Sequence, residues 1–175
     1  KLYGADLVLG PEMKSTGEVM GISSNFGISF AKAQIAAGNR IVTEGTCFLS
    51  FVDTDKKHAP EIARGLHKHG FKLVATRGTQ VIIAEAGIPC EVVLKISEGR
   101  PNIEDSMKND IINMAINTSD NNTSKKDAVV IRQEVLKRNI PYFTTLSAAR
   151  AFILALDAMK NDSWSSSKAL QDFLA

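Results

Sequence analysis

Short apolar runs and amphipathic stretches alternate from Thr46 to Met159, and that alternation sets the expected fold. Thr46 to Val52, centred on Cys47, Phe48 and Leu49, predicts a buried strand. Pro60 to Lys68 places Ile62, Ala63 and Leu66 at helical spacing and ends at Gly70. Lys72 to Ala75 predicts a second strand, Thr79 to Ala86 a helix closed by Gly87, and Glu91 to Ile96 a third strand. Met114 to Asn117 and Pro141 to Thr144 predict the fourth and fifth strands, with a helix over Ala128 to Arg138 between them. Ser147 to Met159 and Ser167 to Leu174 predict the last two helices. Strands alternating with helices imply an α/β fold: a doubly wound, mainly parallel five-stranded sheet with helices on both faces.

Upstream the pattern changes. Ser23 to Ala37 carries Phe26, Phe30, Ala33 and Ala37 at intervals of three and four, and Gly38-Asn39 supplies a stop. This helix would connect the domain to whatever precedes it, with Gly45 as the boundary. The run from Gly10 to Gly21 has no helical or strand period. Gly10, Gly17 and Gly21 punctuate it, Pro11 fixes a backbone angle, and Glu12, Lys14 and Glu18 are spaced as charged contacts. Such a segment cannot bury itself and is expected to lean on something outside this sequence. The chain also begins at Lys1 without a methionine, so further sequence is expected upstream.

Composition narrows the function classes. Forty-four per cent hydrophobic and 23% charged residues are ordinary globular values. A net charge of +2 with scattered basic residues gives no reason to expect nucleic acid. The longest apolar runs, such as Ala148 to Leu156, are too short to span a bilayer, so no membrane is expected. Cys47 and Cys90 sit in apolar runs and are expected to be free thiols in a reducing, cytoplasmic setting. His67 and His69 lie two apart on a predicted helix and point in different directions, so no metal site is expected there.

Open parallel sheets bind ligands beyond the carboxyl ends of their strands. The predicted ends here are Asp53 to Lys56, Thr76 to Thr79, Lys95 to Arg100, Asn117 to Ser119, and Thr144-Thr145. At Thr76-Arg-Gly-Thr79, Gly78 lets the backbone approach an oxyanion, Thr76 and Thr79 offer hydroxyls, and the following helix presents free amides. The same string also fits an ordinary strand-to-helix turn. Lys56 reads equally as a solvated helix start, and Lys95, inside an apolar run, either snorkels to the strand end or meets an anion. Asn117, Thr118 and Ser119 fit a ribose, a base edge, phosphate oxygens or plain turn chemistry.

Three strings carry a family resemblance: Gly70 to Thr79 (GFKLVATRGT), Lys95 to Asp105 (KISEGRPNIED) and Tyr142 to Leu146 (YFTTL). With Gly10 to Gly21 (GPEMKSTGEVMG), they resemble the C-terminal region of the carbamoyl-phosphate synthetase large subunit. Thr46 to about Leu156 resembles its methylglyoxal-synthase-like domain. The resemblance implies residues 1–22 as the end of the second ATP-using domain, 23–45 as a connecting helix and linker, and 46–175 as a regulatory domain. It implies no catalytic residue, metal or cofactor in this piece, the parent enzyme using ATP with Mg or Mn. The implied effectors are UMP as inhibitor and IMP as activator, held at Ser50, Lys56, Thr76, Gly78, Thr79, Lys95, Asn117 and Ser119. Ornithine, a further implied activator, would meet Tyr142 and Thr144. Implied partners are the upstream domains of the same chain, the small glutamine amidotransferase subunit, and an oligomer of the parent enzyme. Two positions depart from the family pattern: Ser119 replaces a common threonine and Arg77 a common histidine, and neither loses a donor.

Two rival functions go with the same pattern. A lyase resembling methylglyoxal synthase would use Asp105 as its base. A pure assembly module would present its last helices, Trp164 included, to other subunits.

Overall fold

The computed structural model describes residues 19–118, 125–160, 164 and 169–173. Five strands, β1 (Thr46–Ser50), β2 (Lys72–Ala75), β3 (Glu91–Val92), β4 (Met114–Asn117) and β5 (Tyr142–Phe143), form one sheet in the order β3-β2-β1-β4-β5. Every pairing is parallel, as the alternation of strands and helices requires. Among the described residues, six α-helices accompany them: α1 (Phe26–Ala36), α2 (Ala59–Lys68), α3 (Arg77–Glu85), α4 (Ile103–Lys108), α5 (Lys125–Arg138) and α6 (Leu146–Ala158).

The period-two alternation of the strands divides the core into two layers. Cys47 and Leu49 of β1, with Met114 and Ile116 of β4, pack against Ile62 and Leu66 of α2, Ile83 of α3 and Phe152 of α6. Phe48 and Ala115, on the opposite face, pack against Ile103 and Met107 of α4 and Ile131 and Val135 of α5. The sheet is therefore covered on both sides, which is the expected doubly wound architecture.

Helix α1 docks on this unit rather than standing apart from it. Asn25 caps it, its Oδ1 accepting from Ile28 N–H at 3.2 Å, and Ala31 is fully buried. A side chain at Gly27 would meet the Leu154 carbonyl oxygen at 2.4 Å, so α1 approaches the backbone of α6 at a distance only glycine permits.

Three expectations need revision. The third strand stops at Val92, not Ile96: Val93 N–H makes a last bond to Ala75 O, and Glu98 then takes Lys95 N–H at 2.9 Å, turning the chain into a short 3-10 turn at Ile96–Glu98. Helix α4 is additional. It starts in a capping box, with Asn102 Oδ1 accepting from Glu104 and Asp105 N–H while Asp105 accepts from Asn102 N–H. Of the helix expected over Ser167 to Leu174, the described part is a 3-10 turn at Leu170–Phe173. The Gly10 to Glu18 part of the unpatterned lead lies outside the described residues.

Cys47 is buried in β1 and Cys90 half-buried before β3, both as free thiols; burial pushes the Cys90 thiol up to about 11. Among the described residues, no helix is long and apolar enough to cross a membrane.

Candidate effector site at the carboxyl ends of the strands

Parallel register brings the last residues of three strands together. Ser50 pairs with Asn117, and Leu49 with Ala75, so Ser50, Thr76 and Asn117 leave β1, β2 and β4 at one level. Alternation turns all three toward the face that carries Phe48 and Ala115. A cavity of about 300 Å³ opens there, a volume at the small end of the range for ligand pockets.

Six of the eight expected effector positions line it: Ser50, Lys56, Thr76, Gly78, Lys95 and Asn117. Phe48, Ile96, Ile103 and Ile131 supply an apolar part of the wall. Thr76 Oγ1 lies 3.5 Å from Ser50 Oγ, so two hydroxyls stand side by side where the strands end. Helix α3 begins immediately after Thr76, and no intrahelical acceptor exists for the amides of Arg77 and Gly78. A helix start with such amides favours an anion.

Two cations complete the chemistry. Lys56 belongs to the turn before α2 and holds its ammonium 2.5 Å from Asp53 Oδ1. Asp53 is 93% exposed, so this pair is weak, on the order of 0–1 kcal/mol, and a bound anion can replace the carboxylate. Lys95 is exposed at the cavity edge, beyond the end of β3 rather than inside it.

Thr79 behaves differently from its neighbours. Its side chain is fully buried, does not line the cavity, and accepts from Phe51 N–H at 3.1 Å. It thereby ties the first turn of α3 to the segment that follows β1. Ser119 lies outside the described residues. Tyr142 and Thr144 do not line the cavity, although Tyr142 Oη accepts from Asn117 Nδ2 at 3.1 Å.

Asp53, Thr54, Thr118 and Asp127 also line the cavity and fall outside the expected effector set. Thr118 is buried and accepts from Val52 N–H at 3.1 Å, closing the loop after β1 onto the end of β4. Asp127, at the start of α5, accepts from Ser97 Oγ at 2.9 Å and links α5 to the turn that carries Lys95. No spacing in the sequence signals such pairings, which join residues 30 to 66 positions apart. Asp105, the candidate base, is outside the cavity lining. The Arg100 guanidinium and the Asn102 amide hold its carboxyl below the usual carboxylate range, which suits a capping anion and not a base.

A five-stranded parallel sheet in this order, covered by helices on both faces, places the chain in the doubly wound α/β class. Residues 58–144 belong to the MGS-like domain family. Across almost its whole length the chain is homologous to the carbamoyl phosphate synthase large chain. It is 50% identical over 174 residues to that of Campylobacter jejuni, covering 99% of this chain and 16% of the relative. It is 52% identical over 175 residues to that of Helicobacter pylori, with the same coverages. A relative from Methanopyrus kandleri, 48% identical over 161 residues, is a large-chain "C-terminal section" of which the match spans 30%. The chain thus spans about one sixth of the length of the first two relatives. Among solved structures, methylglyoxal synthase from Elizabethkingia anophelis shares the fold, with a TM-score of 0.50 and 19% identity. That match covers 77% of this chain and 92% of the synthase.

Proposed function

We propose that this chain is the effector-binding C-terminal region of a glutamine-dependent carbamoyl phosphate synthase large subunit. Its cavity binds UMP as an inhibitor or IMP as an activator. In so doing it regulates the synthesis of carbamoyl phosphate from bicarbonate, glutamine-derived ammonia and two ATP, for arginine and pyrimidine biosynthesis. One observation carries the reading: two lysines, three polar strand ends and the amides of a helix start converge on one cavity in a homologue of that large chain.

Phosphate occupies the start of α3, with Lys56 and Lys95 supplying charge and Ser50 and Thr76 hydroxyl donors. ATP with Mg or Mn belongs to the parent enzyme's upstream domains, and so does the contact with the small glutamine amidotransferase subunit. Ornithine, where it acts, sits on the Tyr142 and Thr144 side. Residues 1–22 end the second ATP-using domain and 23–45 lead into the regulatory domain, with α1 seated on α6. The setting of this assembly is the cytoplasm.

Regulation follows if UMP and IMP bind two conformations of the enzyme with different affinities; equal affinity shifts nothing. Calorimetric titration with UMP, followed by IMP, tests the reading. Saturable binding of each, with mutual displacement, is expected; absence of binding to folded protein contradicts it.

A further inference from the structure

Asn117 ends β4 and is 6% exposed, with its side chain on the cavity wall. Tyr142 starts β5 level with Ala115, two residues before Asn117. Strand side chains alternate, so Ala115 and Asn117 share a face, and Tyr142 shares it with them. A diagonal neighbour on such a face stands roughly 7–8 Å away, within reach of a long aromatic side chain. The phenol spans that gap: Asn117 Nδ2 donates to Tyr142 Oη at 3.1 Å. Tyr142 itself is half-buried behind the wall and reaches the cavity through this bond.

We propose that Tyr142 is a positioning residue for the cavity, fixing the Asn117 amide so that its Oδ1 remains as the acceptor offered to a ligand. The proposal rests on the reading of the cavity as an effector site. A phosphate oxygen carries lone pairs and is repelled by Oδ1, so the partner this oxygen takes is a ligand hydroxyl or N–H. The same wall carries the cations and amides that select phosphate. The ligand class is therefore a phosphate monoester whose organic part brings its own hydrogen-bond donors, and neither inorganic phosphate nor a bare polyphosphate uses the whole site. Because Tyr142 belongs to β5, a shift of that strand reaches the ligand through Asn117.

The test is a double-mutant cycle of Tyr142→Phe and Asn117→Ala, titrated with UMP and with inorganic phosphate. Tyr142→Phe is expected to weaken UMP about 3- to 10-fold, the worth of one hydrogen bond, and to leave phosphate within about twofold. In the Asn117→Ala background it is expected to do nothing further. An equal loss in both backgrounds, or no loss in either, overturns the positioning role. A parallel loss of phosphate affinity overturns the donor selection. The Asn117 side-chain amide resonance supplies a check that needs no ligand. It should move in Tyr142→Phe, and an unmoved resonance overturns the proposal whatever the titrations give. Wild-type protein that binds neither UMP nor phosphate overturns the effector reading itself, a result distinct from all of these.

Discussion

A methyl group placed on Gly78 would lie 2.9 Å from the ammonium nitrogen of Lys56. The first turn of α3 and the turn before α2 thus aim a main-chain amide and a cation at the same point. Gly78 does not have a left-handed backbone, so this glycine is required by space and not by conformation. The obstacle is the far end of a flexible side chain, which moves at little cost to the fold.

Gly78→Ala therefore separates affinity from stability. Alanine in a helix gains roughly 0.5–1 kcal/mol over glycine, so the melting temperature should hold or rise. UMP affinity should fall by about tenfold or more as Lys56 is displaced, an effect on the scale of a charge-assisted hydrogen bond. Paired thermal melts and titrations read both. A variant that melts higher and binds UMP like the wild type removes Gly78 and Lys56 from the site.

Thr76 and Thr79 look equivalent in the sequence, yet their side chains do different work. Thr76→Ala removes a cavity donor, and hydrogen bonds to a charged oxygen are worth about 1.5–3 kcal/mol, so affinity should fall roughly 10- to 150-fold. Thr79→Ala strips the buried Phe51 N–H of its acceptor and should cost about 1–3 kcal/mol of stability. Urea unfolding of both variants beside their UMP isotherms distinguishes these outcomes. Two variants with the same profile would contradict the division.

Gly27→Ala tests the seating of α1. Its methyl would press on the Leu154 carbonyl, which is backbone and cannot swing aside. Overpacking of this kind costs about 1–3 kcal/mol. Amide exchange in α1 and α6 should accelerate, while exchange in β1 and β4 stays slow. Unchanged protection of α1 would mean that the helix is not held by this contact.

Acid sensitivity is expected from the end of α2. His69 Nε2 lies 3.1 Å from Asp157 Oδ1, which also accepts from Lys68 at 3.1 Å. Burial of the imidazole, then the charge of Lys160, holds His69 below its ordinary value of 6.5 despite the pull of Asp157. The unfolded chain therefore takes up this proton first, and stability is lost as pH falls through 6.5 toward the lower folded value. Asp157, held low chiefly by Lys68, contributes stability above its ordinary value of 3.8. That contribution is lost only as pH falls through its still lower folded value. His69→Gln should flatten the first loss and leave the second. Urea midpoints measured from pH 7.5 downward check this, and identical slopes for both proteins between about pH 6.5 and 5 would contradict it.

Much of this architecture is legible in the amino-acid sequence because strand and helix periods differ and parallel strands leave their polar ends on one rim. That logic finds Thr76, Gly78 and Asn117 from the strand boundaries, and Lys56 and Lys95 from charge beside them, whereas Ser50, inside the strand predicted to run to Val52, comes from the family resemblance. It does not give the bonds of Thr118 and Asp127, whose partners Val52 and Ser97 are distant in sequence. Helix α4 escapes the pattern because its six residues bury only Ile103 and Met107, too few for a period to show, although Asn102 and Asp105 have capping-box spacing. Helix α1 reads as a connector because its packing depends on Gly27 and Ala31. Small residues allow close approach without leaving a broad apolar stripe.

The proposed binding site for a nucleoside monophosphate is the rim formed by β1, β2 and β4. Mapping amide shifts during a titration with UMP tests it most directly. The Arg77, Gly78, Ser50 and Asn117 amides are expected to move together along one saturating curve, with the α1 and α6 amides still. Saturable binding that leaves those four amides unmoved and shifts residues elsewhere would contradict it.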